Sequence, residues 1–227
     1  MLAETEQTGE PTEPRQNPPK PAMPQVYPYR VVETALAALF QAVDVRHRPL
    51  FRARFVDAQK LGVLGINPGT GRPHDYTRND ILRLLLFFDL VESGSATRVT
   101  AAWIVTTYWN ARNLVENLGY MFSRADFGAM NRDAEDVLIA ITGLRAMSGP
   151  WHKKRNADFE VRSFTKSNVG EFLDGLVAHE ARLENAAAVA IIVNLSSRIR
   201  ALNRALSLAL TGRPVPKPGP GKRRTKS

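Results

Sequence analysis

Residues 50–77, LFRARFVDAQKLGVLGINPGTGRPHDYT, decide how this chain is read. In the first part, Phe51, Phe55, Ala58 and Leu61 recur at helical spacing and share one face. Pro49 suits the first turn of such a helix, and Gly62 supplies the residue at which helices commonly stop. Arg48, Arg52, Gln59 and Lys60 are then expected to point away from the core. The character changes after Gly62. Val63, Leu64 and Ile66 precede Asn67-Pro68-Gly69-Thr70-Gly71, and Arg72, His74 and Tyr76 follow. Proline followed by glycine suits a type II turn, because glycine tolerates the positive φ that the turn needs. The spacing predicts a two-stranded hairpin with a polar tip over residues 62–77.

Helices are predicted on both sides of that stretch. Residues 31–43, VVETALAALFQAV, place Val32, Leu36, Leu39, Phe40 and Val43 on one face. Thr77 is expected to cap the helix RNDILRLLLFFDLVESG, with Asp80 in its first turn and Ile81, Leu84, Leu85, Phe88 and Val91 inward. Gly94 ends that helix and Ser95 begins another, with Val99, Trp103, Ile104, Thr107, Leu114 and Leu118 at mixed helical spacing. Trp103, Tyr108 and Trp109 are expected in the core. Residues 131–147, NRDAEDVLIAITGLRAM, are read as a helix or a helix and turn, and residues 158–164, DFEVRSF, as a short strand. Ala188, Ile192, Leu195, Ile199, Leu202, Leu206 and Ala209 recur every four and three residues, an apolar heptad seam.

The two ends are of another kind. Residues 1–28 hold seven prolines, and residues 211–227 hold six cations and no acid. Proline at that density removes backbone donors, so both are expected to be disordered tails. The division predicted is a proline-rich tail at 1–28, a DNA-binding domain at 29–120, a helical region at 121–210 with a possible dimerisation helix at 183–210, and a basic tail at 211–227. There is no cysteine among the 227 residues, which excludes disulfides, thiolate metal sites and a thiol nucleophile. No long apolar run or secretory signal is present, so no membrane partner and a cytoplasmic, nucleoid-associated location are expected.

The formal charge is +9. Residues 30–78 hold eight cations against four acids. Arg46, Arg48, Arg52, Arg54 and Lys60 fall within 15 residues, and the hairpin adds Arg72, His74 and Arg78. Helix, turn, helix, hairpin, helix is the order of a winged helix-turn-helix. Cations clustered on the second helix and the wing suit a duplex backbone.

At these residues a family resemblance enters. The run from Leu50 to about Val105 resembles the DNA-binding domain of MerR-type transcription regulators, and more narrowly MerR-like proteins of proteobacterial genomes and prophages. The matching features are Leu61-Gly62-Val63-Leu64, the glycine-bearing wing, the close from Arg72 to Tyr76-Thr77, and Asp80-Ile81-Leu82-x-Leu84. The resemblance implies a mainly α fold with a small hairpin wing. It also implies a homodimer joined by a long helix, acting on double-stranded DNA; the 188–209 seam is either that helix or a core helix that packs within one chain. Residues 49–61 would be the recognition helix, with Arg72 and Tyr76 on the phosphate backbone. The family's Arg-Tyr-Tyr stretch is replaced by Val56-Asp57-Ala58, which moves the expected contacts to Arg48, Arg52 and Lys60. Thiolate metal sensing is impossible without cysteine, and no cofactor is expected.

The expected function is therefore sequence-specific DNA binding in transcription regulation, without enzymatic activity. The alternative is a module of the same fold that binds another regulator. An enzyme acting on nucleic acid would need a carboxylate cluster, and Asp133, Glu135 and Asp136 are the compact candidate, read instead as a helix start. His47, His74, His152 and His179 lack metal-ligand spacing.

Overall fold

The computed structural model describes residues 26–64, 75–109, 118–142, 160–180 and 191–213. They form a mainly helical fold with two small antiparallel sheets. Strand β1 (Val26–Pro28) leads into helices α1 (Tyr29–Leu39) and α2 (His47–Lys60). Strand β2 (Asp75–Thr77) leads into α3 (Arg78–Glu92), followed by α4 (Arg98–Trp109) and α5 (Leu118–Met130). Strands β3 (Val137–Thr142) and β4 (Glu160–Thr165) come next, then α6 (Val169–Glu180), β5 (Ile191–Asn194) and α7 (Leu195–Leu210).

Local signals place several of these elements. Thr77 accepts from the Asp80 N–H while the Asp80 carboxylate accepts from the Thr77 N–H at 2.9 Å, a complete capping box at the start of α3. Gly62 and Gly94 both take positive φ, 77° and 69°, just after α2 and α3. Phe51, Phe55 and Ala58 are buried as the α2 spacing required, whereas Leu61 is partly exposed.

Other expectations are corrected. Val63 and Leu64, expected in the first strand of the hairpin, are instead buried in the turn after α2, and Ile66 lies outside the described residues. The partner of β2 is β1, paired Val26↔Thr77, Tyr27↔Tyr76 and Pro28↔Asp75. That strand takes up the last three residues of the segment expected to be a tail. Residues 65–74, with the wing tip, lie outside the described residues. Helix α1 ends at Leu39 rather than Val43, where Gln41 turns to φ 59°. On α4, Val99 and Trp103 face outward while Ile104 and Trp109 are buried; the Tyr108 side chain and Leu114 lie outside the described residues.

The largest correction concerns residues 131–142. They form a turn and a strand rather than a helix, because Val137, Ile139 and Ile141 are β-branched and sheet-forming. β3 is central in the order β4-β3-β5 and antiparallel to both neighbours, with Leu138 opposite Phe164 and Asn194. The strand expected at DFEVRSF is β4. The seam is also divided. Ile192 belongs to β5, Ala188 lies outside the described residues, and the helix begins only at Leu195.

Within α7, Leu195, Ile199, Leu202 and Leu206 are buried against α1 and α5 of the same chain. Of the two roles open to the seam, packing within one chain is the one these residues take. One cluster of buried residues runs from Tyr27 to Leu206, across the boundary expected at residue 120. Ser196 ties it together: its hydroxyl accepts the Val137 N–H at 3.0 Å and donates to the Ala125 carbonyl at 3.1 Å. Ser196→Ala strands the buried Val137 N–H. The expected loss is about 1–3 kcal/mol in urea denaturation, whereas an exposed serine such as Ser197 would cost far less.

Candidate nucleic-acid interface

Helix α2 begins where Asp44 accepts the free N–H groups of Arg46 at 3.0 Å and His47 at 2.7 Å. These bonds, the His47 backbone donor foremost, hold the Asp44 carboxyl below its ordinary range. Three of its faces are then fastened. Towards the core, Phe51 and Phe55 stand among Tyr29, Phe40, Tyr76 and Phe88. Towards α1, Arg48 donates through Nε and Nη2 to the two oxygens of Glu33 at 2.6 and 2.5 Å, and through Nη2 to Thr34 Oγ1 at 3.2 Å. Glu33 is 1 % exposed and Arg48 24 %. Towards the end of α3 and the start of α4, Arg54 pairs with Glu92 and Asp57 with Arg98.

The expected contact residues therefore separate into groups. Arg48 is an internal clasp, not an outward cation. Arg52 gives its Nε to the same Glu33 oxygen at 3.2 Å, yet it is 59 % exposed, so the rest of its guanidinium faces solvent. Arg54 is half exposed and engaged with Glu92. Arg78 turns inward to Asp126 at 2.6 Å and to Asn203 at 3.1 Å. Tyr76 is fully buried and accepts from Gln59 at 2.6 Å; burial pushes its hydroxyl up to about 12. It is a core residue, not a backbone contact, and Gln59 does not point away either. Arg72 and His74 lie outside the described residues.

What remains outward on α2 is a stripe of Arg46, Pro49, Ala53 and Lys60, flanked by Leu50 and Val56. Neither Arg46 nor Lys60 makes an ion pair among the described residues. Sequence reasoning missed the counter-charges: Glu33, Glu92 and Asp126. One signal could have found Glu33. It sits between Val32 and Leu36 in an otherwise apolar run, and an acid there needs a cation.

The carboxylates considered for metal binding diverge. Both Glu135 oxygens are taken by Ser167, and Asp136 by Arg200 at 2.7 and 3.0 Å and Asn194 at 3.0 Å. They lie in and just after the turn before β3, not at a helix start. Among the described residues no group of three or more such ligands could hold a metal ion, and no helix is long and apolar enough to cross a membrane.

Comparison with protein-family models, curated proteins and solved structures finds no match.

Proposed function

We propose that this chain is a cytoplasmic, non-enzymatic transcription regulator that docks α2 in the major groove of duplex DNA. The observation that carries this reading is the way α2 is held. Ion pairs to α1, α3 and α4 fix it on its flanks, and its opposite face is open with Arg46 and Lys60 near its two ends. Fourteen residues of helix span about 21 Å, a length suited to a groove. The β1–β2 ladder supports the winged reading, because in sequence residues 65–74, Arg72 among them, connect the turn after α2 to β2. A dimer would present two such helices to two half-sites, and it needs a surface other than the buried α7 seam.

The test is duplex binding by fluorescence anisotropy, with fragments selected from the source genome. Arg46→Ala and Lys60→Ala are each expected to weaken binding about tenfold, through one lost charged contact apiece. Wild-type affinity for every duplex at low salt, or none, with both variants silent, would sink this reading.

A second reading has its own support. Val45, Leu50 and Val56 are 90 %, 60 % and 40 % exposed on and beside the same face. An apolar outer face suits a protein partner better than phosphates. In that case Leu50→Ser would abolish capture of the partner while Arg46→Ala would not.

A further inference from the structure

Helix α5 buries Leu118, Met121, Phe122 and Ala125 in the core and leaves another face open. On that face Tyr120, Phe127 and Met130 are 41 %, 67 % and 66 % exposed, and the exposed Ser123 and Arg124 stand between them. Offsets of three, four, seven and ten residues from Tyr120 put all five on one stripe of the helix. A single exposed apolar side chain is ordinary. Three large ones along one stripe form a patch of the kind that marks an interaction site.

The stripe borders a groove. Helix α5 comes close to the turn before β3 at Gly128, where a Cβ would lie 3.1 Å from the Glu135 carbonyl oxygen and 3.2 Å from the Ser196 hydroxyl. Beside that approach lies a groove of about 390 Å³, with Arg124, Phe127, Ala134, Val137 and Thr165 in its walls. Phe127 is two-thirds in solvent, so the groove is open along one side, unlike a pocket that encloses most of a small ligand. Its surroundings offer more free cations than free acids. Arg124, Arg132 and Lys166 are exposed and make no ion pair among the described residues. The Arg124 guanidinium lies 5.9 Å from the centre of the Tyr120 ring. Of the neighbouring acids, Asp126 is taken by Arg78, Asp136 by Arg200 and Glu135 by Ser167, which leaves Asp133.

We infer that this face of α5 and the groove beside it dock an acidic segment of a protein partner, with an apolar anchor against Phe127 and a carboxylate against Arg124. The side chains on the stripe are those of a protein interface. Tyrosine, phenylalanine, methionine and arginine are enriched at the centres of such interfaces, and tyrosine and arginine are among the residues that carry most of the binding energy. The unpaired cations select the sign of the partner, because a basic segment would bring like charges to Arg124, Arg132 and Lys166. A nucleic acid duplex would meet those cations through its phosphates and leave Phe127 and Met130 in water. The surface uses no residue of α2 and is independent of both readings of that helix.

The test selects a phage-displayed library of short random peptides on the immobilised full chain. Recovered peptides are synthesised with a fluorescent label and titrated by anisotropy against the wild type and three variants. The peptides are expected to carry more Asp and Glu than Lys and Arg, together with a large apolar residue. Phe127→Ser and Arg124→Glu should each weaken their binding at least about tenfold, and Arg124→Lys should weaken it far less. Melting temperatures should not change, since both side chains are exposed. Recovery of no peptide, peptides without an acidic excess, or affinities indifferent to Phe127→Ser overturn the inference. Dependence on Phe127 without dependence on the charge at Arg124 overturns the acidic partner. A wild-type dimer in sedimentation that Phe127→Ser dissolves makes a second copy of the chain the occupant and overturns it too. Duplex affinity should be the same in all three variants and the wild type, and a loss there would make this a nucleic-acid surface instead.

Discussion

Arg48→Ala is expected to lower folding stability by about 3 kcal/mol, the cost of removing one partner from a buried ion pair. The carboxylate of Glu33 is almost wholly inside the fold, and Arg48 supplies two of its three charge-assisted bonds. The third, from Arg52, is longer and comes from a side chain largely in solvent. Without Arg48 the carboxylate is left in a poorly hydrated site with one weak partner. The reverse change, Glu33→Ala, should cost less, since the freed Arg48 is partly exposed and can turn outward. Urea denaturation checks both. Combining Arg48→Ala with Glu33→Gln should recover part of the loss, because a neutral amide is cheaper to bury than a charge. A loss below about 1 kcal/mol for Arg48→Ala would mean that water reaches Glu33 freely. The result bears on function as well. Any loss of duplex binding by this variant must first be corrected for the unfolded fraction.

Phe88→Ala should cost about 3–5 kcal/mol, the range for truncating a buried aromatic side chain. Its ring stacks on Phe51 at 4.8 Å and meets Phe40 at 5.5 Å, Phe87 at 5.4 Å and Phe55 at 6.2 Å. It is thus the point where α3 receives both α1 and α2. Truncation leaves a cavity walled by other rings, which are too rigid to collapse into it. Phe88→Leu keeps much of the volume and should lose under half as much. Equal losses for the two substitutions would show that ring geometry, rather than volume, governs the site.

The contrast between what was legible in the sequence and what was not follows from range. The Thr77–Asp80 box and the glycine stops at 62 and 94 involve residues within a turn of one another, and the structure has them as expected. The inner face of α2 was legible for the same reason. Arg48 was misread because its partner is 15 residues away on another helix, and no local spacing reveals that meeting. Tyr76 was misread because a strand pairing with β1 turned it inward, whereas a hairpin within residues 62–77 would have left it free to face out. The heptad seam was open between two roles for a different reason. An apolar stripe that seals a chain's own interior and one that joins two chains have the same spacing, and only the packing of α1 and α5 decides between them. At residues 137–142, the run Val-Leu-Ile-Ala-Ile-Thr satisfies helical and strand patterns alike, and pairing on both edges settles it as β3.

The packing of α1 against α7 brings together segments more than 150 residues apart in the chain. During synthesis the part of α1 that packs on α7 has no permanent cover until α7 leaves the ribosome. Its apolar face, with Val32, Ala35 and Leu36, stays available to chaperones or to other nascent chains for that interval. Closing so long a loop is also entropically late, so the refolding rate should be set by the arrival of α7 rather than by the helices that form first.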